Sequence, residues 1–449
     1  MEEMNTAFAT MKSHGALPAK RRVELLHSFY DALKRNEDGL LQAIKEDLNK
    51  SDQEGYMCEL ALVYSEIKYM LKRAIKAAKP HRVGMTLASF PSGGATIRSP
   101  YGTVLIVSPW NYPYLLTFQP LVGAIAMGNR AIVKPSELSP NCSLMIKKVV
   151  EEAFKEDEAK VFLGDREVAS ALFALPFDLL FFTGSTKVGR IAYMEAAKHL
   201  TPCVLELGGK SPCLVLDDAD LELTAKRICM GKVINAGQTC VAPDYVLIPK
   251  GKADEFISIF AKMKQEMVPG GELNSPFYAK IISEGHLKRL QGLIEGEQLC
   301  FGGKVDSGRM EITLLKATGE SKSMQEEIFG PILPIIEYEN LDEALQFIAS
   351  RPRPLAFYVF SRSKRRALRL MEQVDFGGGA INHCIMHLSN RHLPFGGVGD
   401  SGIGRYHGEA SIEAFSYQKG VLVSGKLDNS LRYPPYTHKK FLKVKGLLK

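Results

Sequence analysis

Cys240 stands in the run Asn235-Ala236-Gly237-Gln238-Thr239-Cys240-Val241, and Glu206 in Leu205-Glu206-Leu207-Gly208-Gly209-Lys210. A thiol in a small polar loop and a carboxylate flanked by glycines are the two groups a thioester mechanism requires: a nucleophile, and a base for the water that later releases the product. Asn111, in Ser108-Pro109-Trp110-Asn111-Tyr112-Pro113, follows an apolar run of strand length. An amide there can donate to a developing oxyanion, and the neighbouring rings can wall an apolar channel. The same hexapeptide also reads as a helix cap with its tryptophan in the core.

These residues need elements to hold them. Residues 21–35 place Val23, Leu25, Leu26, Phe29, Tyr30 and Leu33 at helical spacing, and 59–72 repeat the pattern more loosely. From 81 to 100 the pattern breaks into short β-prone pieces among Pro, Gly and Ser, as in a hairpin leaving the body. Apolar runs at 104–107, 131–133, 179–182 and 203–205 then alternate with helical stretches at 120–126 and 142–153, which predicts a parallel sheet covered by helices on both faces. A second α/β block follows from about 211, with strands expected at 213–216, 245–248 and 331–336, and helices at 221–229, 253–267 and 341–348.

Two segments suggest a nucleotide. Residues 180–189 run from an apolar strand through Thr183-Gly184-Ser185-Thr186-Lys187-Val188-Gly189 into a helix expected at 190–199. Such a junction presents free backbone N–H groups to a pyrophosphate. Its Gly-x-x-x-x-Gly spacing is not the Gly-x-Gly-x-x-Gly fingerprint, and a plain strand-to-helix turn fits it equally. Lys134 and Glu137, in Lys134-Pro135-Ser136-Glu137, offer a cation and a carboxylate at a strand end, suited to ribose hydroxyls or to a solvated loop.

Composition narrows the class. With 449 residues and 45% hydrophobic content the chain exceeds a single core, so two large domains are expected. The net charge of +7 is spread along the chain, apart from a Lys-rich end from His438, and does not suggest nucleic acid. The eight cysteines form no C-x-x-C pair and no zinc spacing, so a reducing, cytoplasmic setting and no metal are expected. No run approaches the length of a membrane span.

Taken together, Trp110-Asn111-Tyr112-Pro113, Lys134-Pro135-Ser136-Glu137, Phe182-Thr183-Gly184-Ser185, Glu206-Leu207-Gly208-Gly209-Lys210-Ser211-Pro212, Gly237-Gln238-Thr239-Cys240, Glu326-Glu327-Ile328-Phe329-Gly330-Pro331 and Leu393-Pro394-Phe395-Gly396-Gly397-Val398-Gly399 resemble the aldehyde dehydrogenase superfamily. Val241-Ala242-Pro243-Asp244-Tyr245, Tyr406-His407-Gly408 and Arg432-Tyr433-Pro434-Pro435 are similar to its class 3, the fatty and aromatic aldehyde dehydrogenases.

The resemblance implies an α/β fold with a Rossmann-like cofactor domain (1–80 and 101–205), an α/β catalytic domain (206–400) and a small β oligomerisation arm (81–100 and 412–436). It implies Cys240 as nucleophile, Asn111 with the Cys240 backbone N–H as oxyanion donors, and Glu206 as the base. Lys134 and Glu137 would take the adenosine ribose, and Gly184, Ser185, Val188 and Gly189 the pyrophosphate. Trp110, Leu207, Gly208, Glu327 and Phe329 would complete the cofactor site, the last two at the nicotinamide riboside.

The implied cofactor is NAD, with NADP possible, and the implied product a carboxylic acid; a CoA-acylating enzyme or a catalytically silent relative are the alternatives. Trp110, Tyr112, Tyr114 and Leu115 are expected at the mouth of a channel for apolar aldehydes, and Asn382 near the active-site floor. A homodimer is expected.

Overall fold

The computed structural model describes residues 2–447. Its first sheet has six strands in the order Gly402–Ile403, Cys203–Glu206, Leu179–Thr183, Thr103–Val107, Arg130–Lys134 and Ala159–Val161. All neighbours are parallel except Gly402–Ile403, which runs antiparallel to Cys203–Glu206. The chain starts in the middle at Thr103–Val107, builds outward on one side, then crosses back to Leu179–Thr183 on the other. That reversal opens a crevice beyond the carboxyl ends of these two strands, the usual ligand position in an open α/β sheet.

The strands are continuous apolar runs because both faces are buried. Val104 and Ile106 pack into one core, with the helices Ala19–Arg35, Ala61–Ala77, Leu115–Met127 and Pro140–Ala153. Leu105 and Val107 pack into another, with Arg166–Phe173, Thr186–Ala197 and the amino-terminal helix Glu2–Ser13.

The second sheet has seven strands, in the order Leu299–Phe301, Thr313–Lys316, Ile332–Tyr338, Tyr245–Pro249, Pro212–Val215, Ala356–Phe360 and Gly378–Ile381. Only Leu299–Phe301 is antiparallel to its neighbour. A separate three-stranded antiparallel sheet joins His81–Val83, Gly93–Pro100 and Ser416–Val423.

The expected strands and helices are present with ends displaced by a few residues. The helix expected at 190–199 is Thr186–Ala197, because Ser185 caps it by accepting from the Val188 N–H at 3.4 Å. The helix expected at 120–126 begins at Leu115 and carries Pro120 inside, with all of its residues buried.

Candidate active site

Cys240 lies between a short 3-10 segment, Ile234–Gly237, and the strand Tyr245–Pro249. Asn235, Ala236 and Gly237 take φ of 49°, 49° and 69°. Three successive left-handed residues are strained for all but the glycine, and surrounding bonds hold them. The Asn235 N–H donates to Glu54 Oε1 at 2.8 Å, and Asn235 Nδ2 donates to the carbonyls of Asn111 (2.9 Å) and Gln238 (3.0 Å). At Gly237 a Cβ would lie 2.4 Å from the Gly330 carbonyl oxygen.

Asn111 is brought to the same place from the first sheet. It is buried, and its Nδ2 donates to the Gln238 carbonyl at 3.1 Å, two residues before the thiol. Glu206 ends the strand Cys203–Glu206; it is 2% exposed, and neither carboxylate oxygen has a protein hydrogen-bond partner. Burial pushes its carboxyl well above the usual range, and Arg405 opposes this only partly. Burial also pushes the Cys240 thiol up, reinforced by the carboxylates of Glu327 and Glu206, while the N–H groups of Cys240 and Val241 pull the other way. The Glu206 charge therefore favours the neutral form of the thiol.

Cys240 is a wall between two cavities. One, of ≈ 520 Å³, opens at the crevice of the first sheet; Trp110, Asn111, Gly184, Ser185, Glu206 and Cys240 are among its lining residues. Leu207, Gly208, Glu327 and Phe329 close it on the other side, and so do His286 and Arg289, which the sequence reading did not single out. The rings of Trp110 and Phe329 meet edge to face at 5.5 Å, with His286 Nε2 2.8 Å from the Phe329 carbonyl oxygen. Burial lowers the His286 pKa to about 4, so the ring is neutral there.

A Cβ on Gly208 would fall 1.9 Å from Glu327 Oε2. Burial, then the charge of Asp244, raises the Glu327 carboxyl to about 8, against the Gly209 N–H. Gly189 lets the helix Thr186–Ala197 approach Leu207, whose Cδ2 would be 2.4 Å from an added Cβ. Val188 and Gly189 do not line this cavity, and neither do Lys134 and Glu137. Lys134 Nζ pairs with Glu137 Oε2 at 2.8 Å beside the crevice, and the Lys134 carbonyl accepts from the Ser108 N–H at 3.1 Å.

The other cavity is narrow, ≈ 100 Å³, and almost wholly apolar, with Met57, Leu62, Leu115, Ile234, Ile385 and Phe395 around it. Tyr112 and Leu115 line it as expected, but two of the expected channel residues do not. Trp110 faces the first cavity, and Tyr114 is a core residue: it is 0% exposed, its hydroxyl donates to the Leu40 carbonyl at 2.9 Å, and its ring stacks on Phe118. Asn382, expected near the floor, lines neither cavity. Its side chain is spent on the Ser361 backbone, accepting from the N–H at 2.8 Å and donating to the carbonyl at 2.7 Å.

Lys50 and Glu59 were also not foreseen. Both are 0% exposed and paired at 2.9 Å, and Lys50 Nζ donates to the Asn111 carbonyl at 2.7 Å. A lone lysine between helical patterns gives no signal in a chain that is 24% charged. Among the described residues, no cluster of His, Cys, Asp and Glu is arranged to hold a metal, and no helix is long and apolar enough to cross a membrane.

Residues 1–421 match the family model described as "Aldehyde dehydrogenase family". The chain is 44% identical over 430 residues to 4,4'-diaponeurosporen-aldehyde dehydrogenase of Staphylococcus aureus, covering 94% of each chain. It is 39% identical over 440 residues to a protein of Canis lupus familiaris named "Aldehyde dehydrogenase, dimeric NADP-preferring", covering 97% of each. Its fold superposes on the substrate-bound state of Staphylococcus aureus AldH with a TM-score of 0.96, at 41% identity and 99% coverage of both chains. A match that spans nearly the whole chain agrees with a half-buried thiol and a buried amide and carboxylate gathered where two cavities meet, and the chain belongs to the aldehyde dehydrogenase family.

Proposed function

We propose that this enzyme oxidises apolar aldehydes to carboxylic acids through a thioester on Cys240, with NAD as preferred cofactor and NADP also accepted. The observation that carries this reading is the position of Cys240, which is reached from an apolar cavity on one side and a more polar, glycine-edged cavity on the other. An aldehyde in the first presents its carbonyl carbon to Sγ; a dinucleotide in the second would reach the same carbon.

The larger cavity, at the crevice of the first sheet, fits that cofactor. Gly208 leaves room for the half-buried Glu327 carboxyl to face a ribose, the Trp110 and Phe329 rings border a planar group, and the helix N-terminus at Ser185 offers N–H groups to a pyrophosphate. Val188 and Gly189, in that helix's first turn, and Leu207, packed against it, support the same wall. Lys134 and Glu137, on the adjacent strand end, would hold the adenosine ribose. A carboxylate there accepts from a 2′-hydroxyl and repels a 2′-phosphate, which favours NAD.

In the reaction, Cys240 Sγ releases its proton to solvent and bonds to the carbonyl carbon, the π pair of the C=O bond moves to oxygen, and the oxyanion so formed is held by Asn111 Nδ2 and the Cys240 N–H. When bound, the oxidised nicotinamide supplies a positive charge near the thiol and accepts the hydrogen that leaves the adduct as hydride. Glu206 then takes a proton from water as its oxygen attacks the thioester carbon; the C–S bond breaks, the carboxylic acid leaves, and Glu206 passes the proton to the departing sulfur, restoring the thiol.

The apolar cavity supports aldehydes with an aliphatic chain or aromatic ring, a preference that accords with the named substrate of the Staphylococcus aureus relative. We also propose the domain division at 1–80 with 101–205, 206–400, and 81–100 with 412–436, since each part centres on its own sheet. The strand Ser416–Val423 leaves a mostly exposed edge on the arm, which supports a homodimer, as does the word dimeric in the canine relative's name. Eight free cysteines support a cytoplasmic location.

Aldehyde-dependent NADH formation, measured with and without coenzyme A, tests the reaction. The rate is expected to be independent of coenzyme A and abolished in Cys240→Ala; activity surviving that substitution overturns the covalent mechanism. Light scattering at micromolar concentration is expected to give twice the chain mass.

A further inference from the structure

Helical segments outside both large sheets reach into the site through the buried Lys50 and Glu59 and the half-buried Glu54. Lys50 follows the helix Glu37–Leu48, whereas Glu54 and Glu59 lie in the turn of helix and π-helix at Asp52–Gly55 and Tyr56–Leu60. Lys50 Nζ makes three contacts: Glu59 Oε1 at 2.9 Å, the Asn111 carbonyl at 2.7 Å, and the face of the Tyr112 ring at 3.9 Å from its centroid. Glu59 Oε2 in turn accepts from the N–H groups of Tyr114 (2.9 Å) and Leu115 (3.4 Å). The pair therefore grips the backbone on both sides of Tyr112-Pro113, starting at the Asn111 carbonyl.

The nucleophile loop is gripped by the same segment. Glu54 Oε1 accepts from the Asn235 N–H, and Asn235 Nδ2 donates to the Asn111 carbonyl, the oxygen that Lys50 also reaches. Tyr112, under the Lys50 ammonium, shares a 2.7 Å hydroxyl contact with Thr239 Oγ1, next to Cys240. The backbone around the oxyanion donor and the nucleophile loop are thus both held one bond from Lys50 or Glu54.

A lysine with no exposure is costly to bury and needs full pairing. Replacing a buried ion pair with neutral groups is frequently neutral or favourable for stability, so structural need alone does not explain a charge at this point. A carbonyl bonded to an ammonium is held by a short, charge-assisted contact. The placement of the amide donor decides how well it meets an oxyanion, because such donors act only from a fixed position.

We propose that Lys50, with Glu59 as its counter-ion, is a positioning residue for catalysis that fixes Asn111 Nδ2 relative to Cys240 Sγ. This rests on the reading of Asn111 as an oxyanion donor. Lys50 touches neither substrate nor cofactor; it acts through the Asn111 carbonyl.

A double-mutant cycle separates this role from a structural one. Lys50→Met alone leaves Glu59 buried without its partner and can fail to fold, so the informative variant is Lys50→Met with Glu59→Gln. That pair is neutral, and the amide oxygen introduced at position 59 still accepts from the N–H groups of Tyr114 and Leu115. Single-turnover NADH formation from an apolar aldehyde is measured for the wild type, this variant, Asn111→Ala, and the combination.

Asn111→Ala is expected to slow the step about 100- to 1000-fold, as removal of one oxyanion donor does. The neutral-pair variant is expected to slow it ~10-fold or more, with the dissociation constant for NAD, read by fluorescence titration, unchanged within ~2-fold. In the Asn111→Ala background the same pair is expected to add less than ~3-fold, since the group being positioned is gone.

Wild-type rates in the neutral-pair variant, or an equal further loss on top of Asn111→Ala, would overturn the positioning role while leaving the reaction scheme intact. A neutral-pair variant that did not fold would equally overturn it, by showing the pair to be structural. Wild-type rates in Asn111→Ala would instead overturn the oxyanion assignment, and the role of Lys50 with it.

Discussion

At the residue scale the site is governed by what burial does to Cys240 and Glu206. Each holds its proton above its ordinary range, burial being the main cause in both and the other's charge adding to it for the thiol. Raising the pH removes these protons, so the rate of acylation and hydrolysis is expected to climb through neutral pH into the alkaline range. A kcat profile from about pH 6 to 10 checks this, and a rate that falls over that span contradicts it. Gly208 gives a second test. An added Cβ would overlap the Glu327 carboxyl well inside van der Waals contact, so Gly208→Ala is expected to raise KM for NAD by ~10-fold or more and leave the aldehyde KM within ~2-fold. Steady-state kinetics with each substrate varied separately decides it.

At the scale of elements, the helix Ala61–Ala77 is tied to the turn before Glu409–Ala414 by Glu66. Its Oε1 accepts from the Gly408 N–H at 2.9 Å and from Ser411 Oγ at 3.3 Å, and burial raises its pKa to about 7. A carboxyl whose folded pKa is raised keeps its proton in the native state after the unfolded chain has lost it. Its contribution is therefore full below the unfolded value and is lost as pH rises through about 7. The slope is about 1.4 kcal/mol per pH unit for one group. Glu66→Gln keeps an acceptor and does not titrate, so its stability relative to the wild type is expected to improve between about pH 5 and pH 8. Urea unfolding at both pH values measures this, and parallel pH dependences would refute it.

The same scale shows what could be read in advance. The strands Thr103–Val107, Leu179–Thr183 and Tyr245–Pro249 were legible because burial on both faces makes them uninterrupted apolar runs. Gly378–Ile381 was not, since Gly378 and Gly379 lack the side chains that mark a strand. At Gly379 a Cβ would come within 2.2 Å of the Phe357 carbonyl oxygen, so the feature that hides the strand is the one that lets it pack. Cys240, Glu206 and Asn111 were singled out by motif, and the fold brings them to one pair of cavities. Lys50 and Glu59 did not, because a buried ion pair leaves no pattern in sequence, and Tyr114 misled because a ring beside a functional residue reads alike whether it turns to a channel or to the core.

Over the whole molecule, the site exists only because two sheets and the amino-terminal helices converge on one thiol. Asn111 and Glu206 end strands or loops of the first sheet, Cys240 and Glu327 belong to the second, and Met57, Leu62 and Leu115 supply apolar wall from the helical side. Because that wall is nearly devoid of polar groups, each added methylene is expected to raise kcat/KM by about 3- to 4-fold, the equivalent of ~0.8 kcal/mol, until the cavity is filled. A series of straight-chain aldehydes of increasing length tests it, and a preference for short polar aldehydes would show the cavity to be misassigned.

The most direct test of the covalent account uses Glu206→Gln, which keeps the shape of the carboxylate and removes its basicity. Mixed with an apolar aldehyde and NAD, this variant is expected to release about one NADH per active site and then stall. Peptide mass spectrometry of the stalled enzyme should find the acyl group on Cys240. Steady turnover at the wild-type rate, or an enzyme that has formed NADH with Cys240 unmodified, would contradict it.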